Sequence, residues 1–159
     1  MSNTLVAYFS ATGRTKRIAE RMAKAAEADL FEIVPAEPYT QQDLNWVDKT
    51  SRGTMEMNDD ACRPEIANKL DNMDDYDLIF LGFPVWWYIE PRIIDTFLES
   101  YDFSGKRIVP FATSTGSPIG EAPQHIQEMC PDAKVEEGHK FNTTDADPML
   151  FQWVARYMH

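Results

Sequence analysis

Residues 4–26 read TLVAYFSATGRTKRIAERMAKAA. An apolar run of strand length passes through SATGRT, residues 10–15, into a segment with the apolar spacing of an amphipathic helix. A strand feeding straight into a helix opens a βαβ unit, and the alternation recurs along the chain. The apolar runs predict strands over residues 4–9, 29–34, 77–82, 107–112 and 134–138. Helical periodicity predicts helices over residues 13–26, 64–70, 91–98, 119–129 and 148–157, with Pro91 suited to the first helical position. The runs LIFLG and IVPFA are apolar at nearly every position, as parallel strands covered on both faces must be. The reading is one doubly wound α/β domain spanning residues 1–159, with a five-stranded parallel sheet. Residues 35–60 stand apart as a long polar connection carrying Tyr39, Trp46, Met55 and Met57, either a lid or an irregular excursion.

Composition narrows the function. The chain has 159 residues, of which 43% are hydrophobic, enough for one sizeable core. Fifteen basic residues against twenty-six acidic ones leave a net charge of −11, which repels nucleic acid and anionic membranes and favours basic protein surfaces. No run is long enough to span a bilayer, and TLVAYF is too short for a signal sequence. Cys62 and Cys130 show no C-x-x-C or disulfide pattern, so a reducing, cytoplasmic setting is expected. His125, His139 and His159 make no metal-ligand spacing and are expected to be ordinary surface residues.

Ligands of open α/β sheets sit beyond the carboxyl ends of the strands, so three loops matter. In the first, Ser10, Thr12 and Thr15 add hydroxyls to the amides of a helix N-terminus, and Gly13 lets the backbone approach closely. That is a socket for a phosphate, although a hydroxyl that merely caps the helix explains the same pattern. The Walker and dinucleotide fingerprints are both absent, since Gly13 is the loop's one glycine. The second loop, FPVWWY, places Trp86 beside Trp87; one can face the core and the other a flat ligand, or both can plug the end of the sheet. The third, TSTGSPIG at residues 113–120, offers hydrogen bonds to the polar edge of a ring. Phosphate socket, stacking loop and polar-edge loop together describe flavin mononucleotide (FMN).

S-x-T-G-x-T, P-V-W-W and T-S-x-G-S-x-I-G, together with EPYT, DLNW and EMNDDACRPEIAN, resemble the flavodoxin family, in its bacterial branch with a paired-tryptophan loop. The resemblance spans nearly the whole chain. It implies strand order 2-1-3-4-5, one noncovalent FMN and electron transfer through the dimethylbenzene edge of the flavin. It puts Ser10, Ala11, Thr12, Gly13, Arg14 and Thr15 on the phosphate loop. Pro84, Val85, Trp86, Trp87 and Tyr88 fall on the first ring loop, and Ser114, Thr115, Gly116 and Ser117 on the second. Tyr88 stands where this branch often has glycine, so a peptide with positive φ there is strained. The implied role is a soluble, low-potential electron carrier, monomeric or weakly dimeric, between a basic-surfaced reductase and an acceptor. An FMN-dependent NAD(P)H:quinone-type reductase and a flavin-free binding module are the alternatives.

Overall fold

The computed structural model describes residues 3–114 and 118–158. In chain order the elements are β1 (Thr4–Tyr8), α1 (Arg14–Ala26), β2 (Asp29–Glu32), α2 (Arg52–Met57), β3 (Leu78–Pro84) and α3 (Arg92–Ser100). There follow β4 (Arg107–Thr113), α4 (Ala122–Met129), β5 (Lys134–Val135), β6 (His139–Phe141) and α5 (Asp147–Ala155). All strand pairs are parallel, in the order β2-β1-β3-β4-β5, and β6 also pairs with β4. The direction of winding reverses between β1 and β3, which opens the crevice where the loops meet.

Alternation along the strands builds two cores, one on each face of the sheet. Leu5, Ala7 and Phe9 join Ile79, Leu81 and Phe83 under α3 and α4. Val6, Tyr8, Leu78 and Phe80 join Ile18, Met22 and Trp153 under α1 and α5. Each fully buried Leu, Ile or Phe contributes about 1.5–3 kcal/mol, so covering both faces of the central strands is the main drive to this arrangement.

Three expectations change in the structure. Residues 64–70 form no helix. Ile66 makes an antiparallel bridge with Pro35, the Ala67 amide donates to the Val34 carbonyl at 2.7 Å, and the Asn68 side chain bonds both Val34 and Glu32. These bonds satisfy the backbone beyond the short edge strand β2, and the helical turns of this crossover are α2, inside the polar excursion, and a 3-10 turn at Met73–Asp75. The fifth strand is broken. Past Val135 the chain turns at Gly138 (φ +73°), where a Cβ would stand 2.3 Å from the Pro110 carbonyl, and pairing with β4 resumes at His139. Pro91 is the residue before α3, with extended backbone, and is not the first helical position.

Candidate functional site

A cavity of about 580 Å³ lies beyond the carboxyl ends of β1, β3 and β4, within the range of ligand pockets, roughly 300–1,000 Å³. The first loop contributes Ala11, Thr12 and Arg14 to its wall. Ser10, Gly13 and Thr15 lie outside the lining and shape the loop. Ser10 Oγ accepts the Gly13 amide at 3.0 Å, and the buried Thr15 hydroxyl pairs with that of Thr113 at 2.7 Å, tying the loop to the end of β4. Gly13, at φ +92°, is the residue before α1, and among the described residues no side-chain cap bond closes that helix. The first-turn amides of α1, with exposed Arg14 beside them, therefore suit an anion.

The second loop forms a two-residue turn. Trp86 and Ile89 exchange backbone hydrogen bonds of 3.0 and 3.4 Å across it, and Trp87 (φ +54°) and Tyr88 (φ +71°) both occupy the left-handed region. Left-handed backbone at two bulky residues is strained, and the loop before α4 holds it in place. The Glu121 amide donates to the Tyr88 carbonyl at 2.9 Å. The turn also separates the paired tryptophans. Trp86 is buried at the end of the sheet, while Trp87 and Tyr88 are 43% and 64% exposed at the cavity.

The polar excursion supplies a wall that the sequence left undecided. Leu44 and Trp46 line the cavity. Trp46 packs on Trp86 at 5.2 Å and on Trp87 at 6.0 Å between ring centroids. Tyr39 meets Phe9 at 5.5 Å and Trp86 at 5.4 Å, both edge-on. The Arg52 guanidinium lies 3.9 Å above the Tyr39 ring, and the Tyr39 hydroxyl donates to Glu56 Oε1 at 2.6 Å. Burial first, and that bond second, hold the Tyr39 phenol far above its ordinary range. Apolar residues in an otherwise polar stretch were the signal for this wall, but which loops they would meet was not readable. Thr113 and Ser114 complete the lining at the end of β4. Thr115, Gly116 and Ser117 lie outside the described residues.

A sequence profile of the flavodoxin family matches residues 3–157. The chain belongs to the flavodoxin family. A Bacteroides eggerthii protein assigned as a flavoprotein is 44% identical over 96% of both chains and superposes with a TM-score of 0.91. A Lactobacillus acidophilus flavoprotein, solved in complex with FMN, is 26% identical over 91% of this chain and 96% of its own, with a TM-score of 0.69. The oxidised flavodoxin 2 of Bacillus cereus, 19% identical over 98% of this chain and 97% of its own, shares the fold with a TM-score of 0.59. A search of curated proteins found no match. Among the described residues of this flavodoxin-family chain, no helix is long and apolar enough to cross a membrane.

Proposed function

We propose that the chain binds one FMN in this cavity and serves as a low-potential electron carrier in the cytoplasm. The observation that carries the reading is the meeting of an uncapped helix N-terminus with an aromatic wall in one cavity. The residues present fit the group. The α1 amides and Arg14 suit the phosphate, Trp46 and Trp87 in the lining would give the ring an aromatic wall, and Ser114 at the end of β4 would add a polar group for its heteroatoms. When bound, FMN supplies the redox chemistry, and the protein tunes it. The aromatic wall excludes water, and a net charge of −11 disfavours added negative charge, so both features favour a low potential. Both cysteines are free thiols, as a reducing compartment requires.

The competing reductase reading draws on the excursion wall, which could close over a second substrate. Visible spectroscopy during stepwise anaerobic reduction, with and without NADPH as sole reductant, separates the two. A flavin spectrum with releasable FMN that NADPH alone leaves oxidised supports the carrier. Rapid bleaching by NADPH, with turnover on an added quinone, makes the chain a reductase, and failure to take up FMN rejects both.

A further inference from the structure

Two residues beyond Tyr88 a second polar cluster begins, none of it used by the cavity. Glu90 and Asp95 are fully buried at the start of α3, and the partly exposed His125 of α4 faces both. His125 Nδ1 contacts Glu90 Oε2 and lies 3.8 Å from Asp95 Oδ1. One ligating atom from each of the three residues falls within 4.8 Å of the others.

The nearest cation, Arg92, pairs with Asp95 but spends its hydrogen bonds elsewhere. Arg92 donates through Nε and Nη2 to the Glu56 and Met57 carbonyls that end α2, and through Nη2 to Asp60 at 3.0 Å. Its Nη1 stands 3.5 Å from Asp95 Oδ2 without a hydrogen bond. Glu90 Oε1 and both Asp95 oxygens receive no hydrogen bond from a described N–H or hydroxyl group, and the two carboxyls lie within reach of one shared proton. Two facing buried carboxylates cannot both ionise unless something positive lies against them: a proton shared between the two carboxyls, a protonated His125 imidazole, or a metal ion. A cavity of about 350 Å³ beside α4, with Asp60, Arg92, Gln124, His125 and Glu128 in its lining, brings solvent to the His125 edge of the cluster.

We infer that Glu90, Asp95 and His125 form a site for a divalent cation of the zinc class, entered through the cavity beside α4. One imidazole nitrogen and two carboxylate oxygens suit zinc or its first-row neighbours, whereas calcium and magnesium prefer oxygen alone. Three protein ligands leave a coordination position for water from the cavity. The ligands stand on the packed starts of α3 and α4, segments that the Tyr88 carbonyl and Glu121 amide already join. A bound ion adds a second tie below the strained turn.

The test is equilibrium dialysis of chelator-treated full-length protein against Zn²⁺ at neutral pH, with bound metal counted by mass spectrometry. We expect one zinc per chain, and an imidazole nitrogen in the metal's X-ray absorption spectrum. H125Q and D95N should each weaken binding by about tenfold or more, since loss even of an outer partner costs about 10–100-fold. H125Q changes a part-exposed side chain and decides the matter if D95N does not fold. Absence of stoichiometric uptake by folded wild type overturns the site and leaves the carboxyl pair to a shared proton or a protonated His125. Uptake that both folded variants retain overturns it equally. Neither variant alters a residue lining the 580 Å³ cavity, so the result stands whether or not FMN binds.

Discussion

Gly120 lies directly against the backbone of Tyr88: a Cβ built on it would stand 2.3 Å from the Tyr88 carbonyl oxygen. The neighbouring Glu121 amide donates to that oxygen, so the loop before α4 can hold the strained turn only with glycine at this point. G120A combines a left-handed alanine with displacement of the turn, at a cost of about 2–3 kcal/mol. We expect its melting temperature to fall by roughly 5–10 °C and its FMN affinity to drop, measured by calorimetry and flavin fluorescence. An unchanged melting temperature would show that the turn is not clamped from α4.

Tyr88 itself is the complementary case. Its φ of +71° costs about 1–2 kcal/mol relative to glycine, and its exposed side chain contributes little packing in return. Y88G should raise the urea midpoint of the flavin-free protein without changing the slope of the transition. A lower midpoint would mean that the phenol packs more firmly than its exposure indicates.

The excursion wall depends on Gly53. Its Cβ position would lie 2.7 Å from the Asp43 carbonyl and 3.0 Å from the Trp46 ring, while its amide donates to that same carbonyl at 2.8 Å. G53A should therefore push Trp46 off Trp86 and Trp87. The readout is indole fluorescence with FMN affinity, which we expect to fall several-fold while the far-ultraviolet circular dichroism stays unchanged. Wild-type affinity in G53A would remove Trp46 from the binding wall.

Alkaline pH should unfold the protein through its tyrosines. Burial raises the Tyr8 phenol from 10.0 to about 12, and Tyr39 is raised further by burial and by its bond to Glu56. The folded state therefore holds phenolic protons that the unfolded state releases. This stability is complete below pH 10 and, for Tyr8, is lost as pH rises through about 12. Melting temperatures between pH 8 and 11.5 should fall steadily above pH 10. Y39F should flatten that fall, at a cost at neutral pH of about 1.5–3 kcal/mol for the lost bond to a carboxylate.

The net charge of −11 predicts the salt dependence of partner encounter. With a basic redox protein as acceptor, stopped-flow electron transfer from the reduced flavoprotein should slow as ionic strength rises from 0.01 to 0.5 M, because the Debye length shrinks from about 30 Å to a few ångströms. A rate that is flat or rises with salt would remove electrostatic steering.

The parallel sheet, its strand order and the three loops at its carboxyl end were legible in the sequence, the order through family resemblance and the rest from local pattern. LIFLG and IVPFA are apolar throughout because both faces of β3 and β4 are covered, and SATGRT marks a strand that hands over to a helix. What only tertiary structure decided were contacts between distant segments. Whether residues 64–70 coil or extend was settled by their bonds to residues 34–36, a pairing that outweighs local helical periodicity. Trp46 became part of the wall because Trp86 was there to meet it. His125, which sequence spacing leaves as an ordinary surface residue, faces two buried carboxyls only because α3 and α4 pack side by side. Periodicity and loop chemistry are local and survive in a linear reading, whereas the partners of an excursion or of a buried charge exist only after the chain has folded.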